Sequence, residues 1–218
     1  LDNRKISTIL RKIKQAGTHW ETPAVVHIGE SKDPFRVLVS CILSLRTRDE
    51  VTAAASQRLF ALADRPQKLL SLDSDAIEKA IYPVAFYRNK ANTLGEICRE
   101  LVDRNNAEVP DTLEELLKLK GVGRKTANLT LILGHGKIGI CVDTHVHRIS
   151  NRLGYVKTSS PDATEMALRD QLPKKYWMQL NELLVAFGQN ICKPISPLCS
   201  QCCVHSHCEK IGVGDKHR

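Results

Sequence analysis

The sequence predicts an all-α protein assembled from many short helices. Three observations carry that expectation. Apolar residues recur at i, i+3, i+4 spacing along most of the 218 residues, helix-start signals recur between those stretches, and only Ile138 to Val142 reads as a strand. A lone strand cannot make a sheet, so that stretch is expected to be an extended connection between helices.

The elements follow in order. Leu1 to Lys14 is basic and amphipathic, without the apolar region of an export signal. The chain opens on Leu1 rather than Met, so the numbering is expected to begin inside a longer or trimmed chain. Asp33-Pro34 supplies an N-cap and a proline at the first helical position, and Val37, Leu38, Cys41, Ile42 and Leu45 follow at helical spacing. Thr47-Arg48-Asp49-Glu50 reads as a capping box opening a helix toward Leu62. Further starts are expected at Ser74, at Thr112 with Glu115 three residues on, and at Ser160-Pro161. Lys175 to Phe187 carries Trp177, Leu180, Leu183, Leu184 and Phe187 on one helical face. The polar tail after Ile211 is expected to fray.

Composition narrows the class. Hydrophobic residues at 42% and charged ones at 26% are ordinary for a folded globular chain, and no run approaches the ~18 apolar residues of a membrane span. The net charge of +8 favours polyanionic partners. Of eight cysteines, Cys41, Cys98, Cys141 and Cys203 are scattered or sit beside apolar residues, and the other four lie close together near the end. That distribution suits buried thiols in a reducing compartment rather than a disulfide framework.

Two stretches carry chemistry. In Leu119-Lys120-Gly121-Val122-Gly123-Arg124-Lys125-Thr126-Ala127, two glycines one residue apart allow a tight reversal between helices. They also leave bare N–H groups at the start of the second helix, where a phosphate oxygen can bind. Lys118, Lys120, Arg124 and Lys125 surround the turn with no acid among them. The pattern fits a helix–hairpin–helix gripping the DNA backbone, and equally a plain glycine-terminated connection with solvated lysines. In Val142-Asp143-Thr144-His145, the aspartate lies 18 residues beyond Lys125 (143 − 125). It suits a helix N-cap, and a cap does not exclude a catalytic carboxylate. Cys192, Cys199, Cys202 and Cys208, spaced C-x6-C-x2-C-x5-C, can wrap one metal centre. Either a structural zinc, with His205 or His207 able to replace a cysteine, or a 4Fe–4S cluster fits those ligands.

Hairpin, downstream aspartate and cysteine loop together resemble the endonuclease III branch of the helix–hairpin–helix glycosylase superfamily, over about Lys5 to Glu209. The resemblance implies two helical domains with a DNA-binding cleft between them. One, residues 27–137, is a six-helix domain with the hairpin; the other joins 1–26 to 138–218 and carries a 4Fe–4S cluster on the four cysteines. It implies a base-excision repair enzyme that removes oxidised pyrimidines and cleaves the strand by β-elimination. Lys125 is the implied nucleophile, forming a Schiff base at C1′, and Asp143 the essential carboxylate. A lysine must lose its proton to attack, which neighbouring cations, a helix start and partial burial favour. Gly121, Val122, Gly123, Arg124 and Lys120 are the expected backbone grip. Lys193 is a further phosphate contact or a solvated lysine, and His145 a proton-transfer or structural residue. The adenine-glycosylase and thymine-mismatch relatives lack the lysine and oxidised-guanine glycosylases lack the cluster, so the intersection is the endonuclease III branch.

Two positions depart from the family pattern. Arg46, in Leu43-Ser44-Leu45-Arg46-Thr47-Arg48-Asp49, stands where a glutamine normally fills the space left by a flipped nucleotide. Ala85 replaces the usual glycine in Val84-Ala85-Phe86-Tyr87-Arg88-Asn89-Lys90, where Phe86 is the candidate wedge between base pairs, or with Tyr87 a core aromatic. These changes bear on lesion range rather than on the chemistry. The expected partner is double-stranded DNA with damaged bases or abasic sites, bound by a monomer with no membrane association. The expected location is cytoplasmic and nucleoid-associated in a prokaryote, nuclear or mitochondrial in a eukaryote.

Overall fold

A computed structural model of the chain describes residues 2–20 and 31–214. Among these residues every regular element is helical. The chain divides into two compact units, Leu1–Pro23 with Ile138–Arg218, and Ala24–Lys137. The domain boundary expected between residues 26 and 27 lies outside the described residues.

The first unit opens with α1 (Asn3–Ala16), capped by Asp2, whose Oδ1 accepts from the Arg4 and Lys5 amides at 3.0 and 2.8 Å. The basic, amphipathic reading of this segment has a structural purpose. Ile6, Ile9, Leu10 and Ile13 sit on one face and enter the core.

The continuous unit holds α2 (Pro34–Ser44), α3 (Asp49–Leu62), α4 (Pro66–Leu70), α5 (Ser74–Ile81), α6 (Tyr87–Arg104), α7 (Leu113–Lys118) and α8 (Arg124–Leu129), the last continued by a π turn over Thr130–Gly134. Seven helices thus lie among the described residues of this unit. Leu38, Ile42, Leu43, Leu59, Leu69, Ile81, Leu94, Ile97 and Leu101 are fully buried in its core. Each such side chain contributes roughly 1.5–3 kcal/mol against leaving it in water. Gly134 is a close-approach position, since a Cβ there would lie 2.6 Å from the Pro34 Cα.

Two helix starts differ from the sequence reading. Thr47 does not cap α3, which begins after Arg48 with no side-chain cap bond. The Thr47 hydroxyl is engaged elsewhere, and the first-turn acids Asp49 and Glu50 face the bare amides instead. For α5 the cap is Asp73, one residue earlier than Ser74, with Oδ1 accepting from the Ala76 amide at 2.6 Å.

In the other unit, residues 138–143 form no regular element and lead through an extended Asp143 into α9 (Thr144–Arg152). Then come α10 (Pro161–Gln171), capped by Ser160, and α11 (Trp177–Asn190), preceded by a 3-10 turn over Lys174–Tyr176. Their apolar faces join α1 around Leu168, Leu180, Leu184 and Phe187. The tail does not fray where expected. The Ile211 amide bonds the Arg152 carbonyl at 3.1 Å and Val213 is buried, while residues 215–218 lie outside the described residues.

Candidate active site and cysteine loop

The glycine hairpin joins α7 to α8. Thr112 caps α7 by accepting from the Glu115 amide at 3.3 Å, and the helix closes at Leu119. Gly121 adopts φ +78°, and a Cβ there would approach Thr93 Cγ2 of α6 to 2.9 Å, so glycine is required on both counts. Val122 plugs into the core between the glycines. Gly123 is extended at the N-cap of α8, and a Cβ there would meet no atom within 4 Å. The N-cap of α8 is therefore open on its Gly123 side.

The cations around this turn are not equivalent. Lys120 pairs with Glu96 of α6 at 2.7 Å, and Lys118 with Glu115 at 2.5 Å. The acid-free surround expected from the local sequence is thus corrected by carboxylates one turn back and one helix away. Both pairs are exposed, and such pairs hold with at most about 1 kcal/mol, so an incoming phosphate can displace them. Arg124 and Lys125 are half-buried in the first turn of α8. Lys125 lies close enough to the buried Cys41 thiol of α2 to bear on it, although burial dominates and pushes Cys41 up to about 12.

Asp143 is 8% exposed and caps α9, its Oδ1 accepting from the His145 and Val146 amides at 2.9 Å each. It is therefore a structural cap as well as a candidate carboxylate, set at a helix N-terminus. His145 is half-buried. Its Nδ1 lies 3.1 Å from Arg148 Nη2, and the ring packs so closely on α11 that a Cβ on Gly188 would sit 2.4 Å from Nδ1.

Cys192, Cys199, Cys202 and Cys208 line one small cavity, whose walls include Ile149, Arg152 and Phe187. None of the eight cysteines is in a disulfide. Cys203 is not part of that lining. Arg152 Nη1 donates to Cys192 Sγ at 3.5 Å and the Lys210 amide donates to Cys208 Sγ at 3.3 Å. Burial pushes the Cys202 thiol up to about 11. No three His, Cys, Asp or Glu side chains among the described residues gather tightly enough to hold one metal ion.

Two arginines of α9, absent from the sequence reading, tie this loop down. Arg148 Nη2 donates to the Cys192 and Gly188 carbonyls at 2.8 and 3.3 Å. Arg152 donates to the Lys193 and Pro194 carbonyls at 2.7 and 2.6 Å. Their positions on the inward face of an amphipathic helix, where an arginine must find acceptors, were the available signal. The Lys193 side chain is exposed.

Arg46 and Phe86 come together at the surface of the continuous unit. Each has a left-handed backbone, with φ 56° and 57°. The Arg46 guanidinium lies 5.5 Å from the centroid of the Phe86 ring, and Phe86 is 60% exposed. Phe86 is thus not a core aromatic, whereas Tyr87 packs against the core. Lys90, which closes the second loop in the sequence and was assigned no role there, is buried and bonds the segment that carries Arg46.

The base-excision DNA repair model of the HhH-GPD superfamily matches residues 39–174. Endonuclease III of Thermotoga maritima is 52% identical over 177 residues, covering 81% of this chain and 83% of that protein. Two solved structures superpose over 96% of this chain. One is a non-covalent endonuclease III–DNA complex, with TM-score 0.86, 32% identity and 96% of that chain covered. The other is a trapped endonuclease III–DNA covalent intermediate in an estranged-adenine complex, with TM-score 0.84, 31% identity and 97% of that chain covered. A glycine hairpin carrying a half-buried lysine, a capping aspartate and a four-cysteine loop, joined to these likenesses, make the chain a member of the endonuclease III family, the DNA glycosylase and abasic-site lyase branch of the HhH-GPD superfamily of base excision DNA repair proteins.

Proposed function

We propose that the enzyme removes oxidised pyrimidines from double-stranded DNA and nicks the strand through a Schiff base on Lys125. The observation that carries the reading is the placement of that lysine. It is half-buried in the first turn of a helix whose N-cap is open on its Gly123 side, beside a hairpin of amides and basic residues suited to a phosphate backbone. Lys125 Nζ, once deprotonated, attacks C1′ of the deoxyribose and the base leaves with the glycosidic electron pair. The C1′–O4′ bond then breaks, O4′ taking its electron pair and the proton lost from nitrogen; the iminium so formed acidifies the C2′ proton, and loss of that proton expels the 3′ phosphate. Asp143 stabilises the positive charge that develops on the sugar and helps deprotonate the lysine. Gly121, Val122, Gly123, Arg124 and Lys120 hold the backbone, Lys193 adds a phosphate contact, and Arg46 and Phe86 occupy the gap left by the extruded nucleotide. His145 is a positioning residue for the Asp143 helix.

A 4Fe–4S cluster on Cys192, Cys199, Cys202 and Cys208 fits the cysteine loop. Four thiols around one cavity, with N–H donors already aimed at two sulfurs, suit a cubane that takes one thiolate per iron corner. A single zinc needs all four sulfurs about 2.3 Å from one centre. When bound, the cluster supplies a rigid cross-link that holds the Lys193 loop. The enzyme acts as a monomer in whichever compartment holds the DNA. Borohydride should trap a covalent complex between the wild-type protein and a duplex with one damaged pyrimidine, and none with Lys125→Gln. Trapping that survives the substitution overturns the assignment of the nucleophile.

A further inference from the structure

Lys90 lies on the first turn of α6 with 7% of its surface exposed. Its ammonium donates to the Leu43 carbonyl at 2.8 Å, the Leu45 carbonyl at 2.6 Å and the Thr47 hydroxyl at 3.2 Å. Among the described residues its acceptors are two carbonyls and a hydroxyl, with no carboxylate. A buried cation without a counter-charge is expensive, and burial holds it down to about 8. Packing alone would be served better by an aliphatic side chain, so the ammonium is retained for what it fastens.

Its acceptors flank Arg46 on both sides. Thr47 carries the fastening across to the second loop, since its Oγ1 also accepts from the Ala85 amide at 3.2 Å. The Lys90 amide itself bonds the Phe86 carbonyl at 3.0 Å. Arg46 and Phe86 are both non-glycine residues in the left-handed region, a conformation that persists only where surrounding bonds over-determine it. One ammonium and one hydroxyl supply those bonds to both loops, and the two exposed side chains they present meet at 5.5 Å.

We infer that Lys90 is a positioning residue for lesion recognition, clamping the Arg46 and Phe86 loops into one rigid unit through Thr47. The inference rests on the reading of Arg46 and Phe86 as the residues that fill the gap left by the flipped nucleotide. Lys90 touches no reacting atom, so its loss weakens capture of the damaged nucleotide and spares the chemical step.

The test is steady-state kinetics on a duplex with one ring-saturated thymine, using Lys90→Met, Thr47→Val, the double variant Arg46→Ala/Phe86→Ala, and the triple variant that adds Lys90→Met. Lys90→Met should raise KM about tenfold while kcat falls less than about threefold, the size expected when charge-assisted hydrogen bonds are lost from a binding element. Thr47→Val should raise KM about threefold. In the Arg46→Ala/Phe86→Ala background, Lys90→Met should change KM no further, because nothing remains for the clamp to position. An unchanged KM in Lys90→Met overturns the inference, as does a further tenfold loss in the triple variant. If Lys90→Met does not fold, Thr47→Val decides, and an unaltered KM there is the refuting result. Should Arg46→Ala/Phe86→Ala itself leave KM unaltered, the role assigned to those two side chains fails and the clamp fails with it. Should that double variant raise KM while Lys90→Met does not, only the clamp fails.

Discussion

Asp143 caps α9, the proposed mechanism gives the same carboxylate a catalytic task, and the two can be separated by substitution. Asparagine keeps an oxygen for the His145 and Val146 amides, whereas alanine does not. Asp143→Asn should therefore leave the melting temperature near wild type, bind damaged DNA and turn over at least about a hundredfold more slowly, since a charge facing the developing cation is gone. Asp143→Ala should show the same kinetic loss and cost about 1 kcal/mol of stability besides. Near-normal turnover in Asp143→Asn would remove the carboxylate from the chemistry. Lys90 gives a pH signature at the same scale. Its folded-state value of about 8 lies below the ordinary 10.5, so between those limits the unfolded chain binds the extra proton. Wild-type stability measured relative to Lys90→Met should thus rise as pH goes from 8 to 10.5, and stay level below 8. A difference that falls over that interval would contradict the buried ammonium.

At the scale of the element, the hairpin assigns different work to its two glycines. Gly121 is conformational: φ +78° and a Thr93 methyl 2.9 Å from any added Cβ mean that Gly121→Ala should destabilise the fold by about 1–2 kcal/mol. Gly123 is extended with nothing near, so Gly123→Ala should melt like wild type. Its methyl would nevertheless stand where a phosphate approaches the first amides of α8, and binding to duplex DNA should weaken several-fold. Thermal denaturation and a filter-binding titration on the two variants check both halves. Equal melting points for Gly121→Ala and Gly123→Ala would undo the distinction.

For the whole molecule, α9 is the member through which the cysteine loop acts on the Asp143 cap. Arg148 and Arg152 fasten the Cys192, Lys193 and Pro194 carbonyls to the same helix that Asp143 opens. Protein purified without oxygen should be brown and hold about four irons per chain. Cys208→Ser should lower iron content, the melting temperature and abasic-site cleavage together, because the loop and α9 loosen as one body. Colourless protein with zinc and no iron would refute the cluster.

Much of this was legible in the amino-acid order. Helical periodicity, Asp33-Pro34, Ser160-Pro161 and Thr112 through Glu115 placed helices where they are, because those signals are local and satisfy amides within one turn. The glycine spacing, Asp143 and the cysteine run were legible for the same reason. The capping box at Thr47 was misread because a threonine hydroxyl serves whichever donors arrive, and here they came from Ala85 and Lys90, some 40 residues away. Glu96 beside Lys120 was hidden likewise.

The sequence by itself determined the helical class and the candidate residues on offer, since these depend on residue type and short-range spacing. Only the tertiary structure decided that Lys90 is buried against the carbonyls preceding Arg46, that Arg148 and Arg152 grip the cysteine loop, and that four thiols line one cavity. Those facts follow from which helices pack together, and a buried polar group must then find partners that no local pattern announces.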